Sequence, residues 1–202
     1  MSVRIKFSKT GMLQFISHLD LNRTMKNILL RSKIPVHYSE GFNPRPKLAF
    51  GLPLSVGAES VCEYMDFKID GDISYHDIKN MLNKAFPNGL EAIDCYEPVM
   101  PLSDITLAEY LIKSDEIKDI APLLKDEIIL PKRSKKGTFD TNIKPFIKSA
   151  VMEDGAVRVV LSASPEEYLN PEYIAKALGL QYYDILRTEV YTDKYGCKTV
   201  FR

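Results

Sequence analysis

At 202 residues, with 45% hydrophobic and 27% charged side chains, the chain has the balance of a soluble globular protein of one large or two small domains, not of a disordered one. No run approaches the roughly 18 apolar residues of a membrane span. The opening MSVRIKF lacks the apolar stretch of a signal peptide, so the expected location is the cytoplasm and no membrane partner is expected. Net charge is zero, yet residues 1–50 hold nine Lys/Arg against two Asp/Glu and residues 51–100 hold three against nine. A neutral total therefore does not exclude an anionic partner, although neighbours in the fold could equally neutralise these runs.

The first hundred residues read as β-α-β-β-α-β. Val3, Ile5 and Phe7 alternate as a strand that Lys9-Thr10-Gly11 ends. Ser17, with Asp20 three residues on, predicts a helix start. Leu19, Leu21, Met25, Ile28, Leu29 and Leu30 supply an apolar face up to Ser32, and Pro35 stops the helix. Pro46 to Leu54 and Glu63 to Ile69 read as strands. Tyr75 to Phe86 reads as a helix stopped by Pro87-Asn88-Gly89, and Leu90 to Tyr96 as a further strand.

Pro98 and Pro101 punctuate a boundary, after which the pattern repeats less clearly. Strands are expected at Ala108–Ile112, Glu127–Leu130, Ala156–Ser162 and Tyr183–Tyr191, and helices at Ile117–Leu124 and Pro171–Leu178. The expected fold class is α+β, as two tandem ferredoxin-like units, 1–98 and 104–202. One continuous sheet carrying all the helices is the alternative.

Familiar chemistry is absent from the motifs. There is no P-loop, GxGxxG, HExxH or GxSxG. Cys62, Cys95 and Cys197 are far apart and never in a CxxC pair, which argues against a disulfide framework, a zinc ribbon or a cysteine-held cluster. No cofactor or metal is expected. His18 and Asp20 invite an acid/base reading, but residues two apart on a helix point in different directions. Capping explains Asp20 as well, which leaves His18 as a ligand-contact candidate.

The densest segment is His37-Tyr38-Ser39-Glu40-Gly41-Phe42-Asn43-Pro44-Arg45-Pro46-Lys47. Gly41 suits a positive φ, and the prolines stiffen the backbone. Neither explains an aromatic such as Phe42 in a turn. Tyr38 and Phe42 could stack on unpaired bases, Arg45 and Lys47 could hold phosphate, and Glu40 and Asn43 could shape a pocket. The same side chains also suit a protein-binding loop. Arg23 and Arg31 add cations on the first helix, and Lys132, Arg133, Lys135 and Lys136 form a second basic run at an expected hairpin tip. Lys-rich hairpins also occur simply to block edge pairing.

From SHLDLNR through IPVHYSEGFNPRPKLAFGLPLSVGAESVCEYMD the chain resembles the radical-SAM-linked protein family, a bacterial domain found alone or fused behind a radical S-adenosylmethionine enzyme. FDTNIKPF and Leu186-Arg187-Thr188-Glu189 resemble its weaker C-terminal signatures. The resemblance implies partnership with a radical SAM enzyme on a separate chain, often encoded beside ribosomal-protein or ribonuclease genes, and supplies no reaction. The CxxxCxxC that would hold the radical SAM cluster is absent, so this chain would be the companion. The expected fold also looks like that of the CRISPR RAMP proteins, which bind RNA with paired ferredoxin-like units. The expectation is an accessory RNA- or ribonucleoprotein-binding protein for a radical SAM RNA-modifying enzyme. The alternatives are a docking module without RNA contact and a metal-independent ribonuclease using His18.

Overall fold

The computed structural model describes residues 1–134, 137–194 and 196–202, with only the main chain at 133 and 134. The chain divides into two compact units, Met1–Ser103 with Arg202, and Asp104–Phe201. Both are built from antiparallel strands with few helices, so the class is α+β.

The first unit runs β1 (Ser2–Lys9), α1 (His18–Ser32), β2 (Ala49–Phe50), β3 (Ala58–Lys68), α2 (Tyr75–Ala85) and β4 (Leu90–Tyr96). β1 lies between β4 and β3, and β2 pairs with β3. Val3, Ile5 and Phe7 point from β1 into an apolar cluster shared with Leu21, Met25, Ile28 and Leu29 of α1 and Ile78 and Leu82 of α2. That alternation is the period of two that a strand with one buried face requires.

Each helix begins at a serine. Ser17 Oγ accepts the Asp20 N–H at 3.1 Å and donates to the Asp20 carboxylate at 2.7 Å. Ser74 does the same with Asp77 at 3.1 and 2.6 Å. Both satisfy an N–H that the first helical turn leaves unpaired. Lys33, in the left-handed region at φ 59°, closes α1, and Pro35 follows.

Three expectations for this unit are corrected. Leu19 and Leu30 do not join the buried face of α1 and are 59% and 60% exposed. At 100° per residue they are rotated away from the stripe Leu21, Met25, Ile28 and Leu29, which keeps i, i+4, i+7, i+8 spacing. The strand expected over Pro46–Leu54 is only Ala49–Phe50, because prolines at 46 and 53 cannot donate to a ladder. The next strand starts at Ala58, five residues before Glu63. Its first half buries Ala58, Ser60 and Cys62, small residues that give little hydrophobic signal.

Two local contacts set the turn between β1 and α1. The buried Lys9 ammonium donates to the carbonyls of Leu13, Gln14 and Ala58 at 3.2–3.4 Å. It thereby ties the 3-10 turn Gly11–Phe15 to the start of β3. Gly89, at φ +93°, brings its backbone so close that a Cβ would sit 2.5 Å from the Thr10 carbonyl oxygen. Only glycine tolerates both the dihedral and the approach.

The second unit runs β5 (Leu107–Lys113), α3 (Ala121–Leu124), β6 (Ile129–Ser134), β7 (Gly137–Asn142), β8 (Ile147–Glu153), β9 (Ala156–Ser162), α4 (Glu172–Ala177), β10 (Asp184–Thr192) and β11 (Thr199–Val200). Its sheet has β5 between β10 and β9, β8 outside β9, and β11 paired with β10. β6 and β7 form a separate hairpin. Tyr110, Ile112, Val157, Val159, Leu161, Leu123, Ile174 and Ala175 are buried.

Here sequence patterning misses more. β8 is not anticipated, and β7 only as the return arm of the expected hairpin with no bounds, because few of their side chains are buried and no alternation marks them. The helix expected from Ile117 is one turn, Ala121–Leu124, with Pro122 tolerated in its first turn. α4 is likewise shorter than Pro171–Leu178.

The packing of α1 yields the first testable expectation. Met25→Ala should lower unfolding free energy by about 2–5 kcal/mol, as emptying a packed site does. Leu30→Ala should change it by no more than about 0.5 kcal/mol, as at an exposed position. Urea unfolding followed by circular dichroism measures both.

Candidate functional site

The loop between α1 and β2 is held at its base and open at its tip. Val36 pairs with Ile69 and Tyr38 with Pro46 as isolated antiparallel bridges. The His37 N–H donates to the Lys68 carbonyl at 2.8 Å and the Asp70 N–H to the Pro35 carbonyl at 2.8 Å. Inside the neck, the Ser39 N–H donates to the Arg45 carbonyl at 3.0 Å, and Ser39 Oγ accepts the Arg45 N–H at 3.1 Å. The backbone is thus satisfied up to residues 39 and 45, and the chain reverses over the five residues between.

Gly41 makes that reversal at φ +121°. Phe42 follows it with its ring fully exposed to solvent. Glu40, Asn43 and Arg45 are exposed beside it, and Tyr38 is exposed at the neck. An aromatic ring held in water on a braced loop forgoes the burial that an equivalent core ring gains, about 1.5–3 kcal/mol. Ordering the loop therefore brings no folding benefit through that ring.

Each arm of the neck continues into a cleft of about 540 Å³ whose lining includes His37, Lys47, Asp66, Lys68 and Glu97. His37 Nδ1 lies 2.8 Å from Asp70 Oδ1. A carboxylate only accepts, so Nδ1 supplies the proton of this bond and Nε2 takes no part in it. Asp66 is already engaged. Both its oxygens accept from the buried Arg4 guanidinium at 2.7 Å, and Arg4 also donates to the Arg202 carbonyl at 3.1 Å.

The other candidates fall into separate places. His18 is exposed at the start of α1 and packs edge-on against Phe50, with ring centroids 5.2 Å apart. Its neighbour Asp20 serves Ser17 and Arg23, the latter at 3.4 Å, and not His18. Arg31 lies about 20 Å along the helix axis from His18. There its guanidinium donates to the Ala85 carbonyl at 3.2 Å, beside a cleft lined by Met81, Lys84 and Phe86.

In the second unit, Lys132 donates to the Tyr168 carbonyl at 3.3 Å and lies 5.5 Å from the Phe146 ring centroid. Arg133 pairs with Thr138 across the hairpin through the main chain. Its side chain, and Lys135 and Lys136, lie outside the described residues. Lys68 and Glu97 are cleft residues that sequence reasoning does not reach. They come from the end of β3 and from beyond β4, and no local pattern marks them.

The second unit holds a polar network of its own. Glu109 on β5 accepts from Arg158 and Thr188 at 2.8 Å and from Tyr191 at 3.1 Å. Arg158 also pairs with Glu153. Burial alone would push the Glu109 carboxyl up, but hydrogen bonds from Thr188, Arg158 and Tyr191, with the Arg158 charge, outweigh it and leave its pKa below the ordinary value. Burial and the Glu109 charge push the Tyr191 hydroxyl up to about 12. The network ties together four strands, β5, β8, β9 and β10.

Cys62, Cys95 and Cys197 form no disulfide. Burial, aided by Asp94, raises the Cys95 thiol to about 12, so it stays protonated and inert at neutral pH. Among the described residues no group of three or more His, Cys, Asp or Glu is placed to hold a metal, and no helix is long and apolar enough to cross a membrane.

Residues 2–171 match the family described as uncharacterized protein conserved in bacteria, DUF2344. The chain belongs to that family. The DUF2344 match covers the loop, the cleft and the Glu109–Arg158 pair alike. No curated protein matches the chain.

The Glu109 network predicts a pH dependence. Because the folded carboxyl titrates below its ordinary 4.5, its stabilising contribution is complete above that value and fades as pH falls through the lower folded one. Glu109→Gln should therefore be less stable than wild type at neutral pH, and the gap should narrow steadily below about pH 4.5. Urea midpoints of both proteins from pH 7 to pH 3 measure it.

Proposed function

We propose that this chain is an RNA-binding accessory protein that works with a radical SAM enzyme carried on a separate chain, in the bacterial cytoplasm. The observation that carries the reading is the fully exposed Phe42 ring on a loop braced at Tyr38–Pro46, flanked by Arg45 and Lys47. A rigid, solvent-facing ring stacks on an unpaired base at small entropic cost, and flanking cations meet the phosphates on either side. Neither the Arg45 guanidinium nor the Lys47 ammonium has a hydrogen-bond or ion-pair partner among the described residues, so both charges stand available to an anionic ligand.

The scaffold fits this role. The strand orders β4-β1-β3-β2 and β10-β5-β9-β8 both run fourth, first, third, second among the sheet strands, with helices after the first and third. We read each unit as ferredoxin-like on that ground, with the β6–β7 hairpin as an insertion in the second. Partnership with a radical SAM enzyme rests on the resemblance of residues 17–66 and not on geometry. Fold alone would not assign RNA.

Binding should fall steeply with salt, because each neutralised phosphate of a single strand releases counterions. Arg45→Ala and Lys47→Ala should each weaken all RNA sequences and flatten the salt slope by about 0.7. Phe42→Ala should cost about 1–3 kcal/mol of affinity with the slope unchanged. It should leave the melting temperature in place, since the ring is not packed. Affinity at several salt concentrations beside a melt of each variant measures these effects. Wild-type affinity no greater than that of a charge-matched control protein, with the radical SAM enzyme still bound, would replace the RNA reading with docking through the same loop.

A further inference from the structure

Resting on the RNA reading, we infer that the cleft beneath the loop holds one ribose-phosphate unit of the bound strand, with phosphate between Lys47 and Lys68 and the 2′-hydroxyl on Glu97. The cleft and the loop are one construction, since His37 precedes the neck residue Tyr38 and Lys47 follows its partner Pro46. A strand whose base stacks on Phe42 is led down the neck into the cleft. At about 540 Å³ the cleft is within the range of small-ligand sites.

The charges select the ligand. Two carboxylates line the cleft, which at first opposes an anion. Asp66, however, spends both oxygens on the buried Arg4 guanidinium at 2.7 Å, so its charge is matched by one that cannot turn away. The Lys47 and Lys68 ammonium groups make no hydrogen bond or ion pair among the described residues and both residues are exposed. With Glu97 they leave the lining one positive charge in excess, which complements a single phosphodiester. His37 Nδ1 is oriented on Asp70 at 2.8 Å, and the ring's other nitrogen remains for a ligand.

Glu97 then has a chemical role that a purely phosphate site would not give it. A carboxylate repels phosphate but is a strong acceptor for a hydroxyl donor. The 2′-hydroxyl is the donor that distinguishes RNA from DNA. Two ammonium groups with one carboxylate are thus the complement of a ribose-phosphate unit, where a deoxyribose would leave the carboxylate without a donor.

The test uses the full chain with an oligoribonucleotide, its deoxy counterpart, and ribo-oligomers in which one phosphate at a time is an uncharged methylphosphonate. Wild type should prefer RNA and lose affinity on neutralisation at one phosphate above the others. Lys68→Ala should abolish that positional loss and lower the salt slope by about 0.7. Glu97→Ala should raise affinity for both polymers while bringing their ratio towards one. Lys68 and Glu97 are exposed, so folding is preserved, and a melt confirms it. Unchanged affinity and slope in Lys68→Ala, with Phe42→Ala still weakening RNA, would overturn the cleft site and leave the RNA reading standing. An RNA-to-DNA ratio unchanged by Glu97→Ala would overturn the ribose assignment. Absence of RNA binding by wild type would overturn both readings together.

Discussion

The first unit depends on one ion pair. Arg4 on β1 and Asp66 on β3 are directly opposite in the sheet, and Arg4 is fully buried. A buried guanidinium without partners is costly by several kcal/mol, so its neighbours must supply acceptors. They do so in a bidentate geometry, at 2.7 Å to each carboxylate oxygen, with the Arg202 carbonyl as a third acceptor. That arrangement fixes the register of the two central strands, since a one-residue slip would turn Arg4 to the opposite face and into the apolar cluster. It also determines the electrostatics at the end of β3, where Asp66 reaches the cleft without adding net charge to it.

The loop inherits its position from the same strands. β3 continues past Lys68 into Ile69 and Asp70, and these residues receive the chain as it leaves α1, through Val36, His37 and Pro35. Apart from the His37–Asp70 side-chain pair at the base, the hydrogen bonds described for the neck are main chain or accepted by Ser39 Oγ. The exposed side chains of the tip are therefore not needed to hold its conformation. Such a division of labour, rigid backbone below and unencumbered side chains above, is what lets a loop carry binding residues without being stabilised by them.

Legibility in the sequence followed burial. α2 and β4 are clear because Ile78, Leu82, Leu90 and Ala92 each bury one face and leave a period to read. β9 is clear because AVRVVLS is almost wholly buried. β8 was invisible because as an edge strand it exposes Ser149, Val151 and Met152 and buries little. The start of β3 was hidden for the opposite reason, since Ser60 and Cys62 are buried but scarcely hydrophobic. The loop could be recognised from its composition. The cleft could not, because Lys68 and Glu97 join it only through strand pairing.

Charge patterning carried a mixed message for a related physical reason. The basic first fifty residues lie partly on β1, which pairs with β3 in the acidic stretch that follows, and Arg4 with Asp66 is that asymmetry settled inside the fold. Lys9 and Arg31 are absorbed by backbone carbonyls, and Arg23 leans on Asp20. Lys132 of the second basic run is absorbed in the same way by Tyr168. Arg45 and Lys47 on the loop and Lys68 at its base are among the cations that keep no internal acceptor among the described residues. A raw count of cations overstates the basic surface, and three of those the fold leaves unengaged stand beside one exposed ring. Proximity of that kind, and not the total, is what distinguishes a site for a single strand from a diffuse attraction to any polyanion.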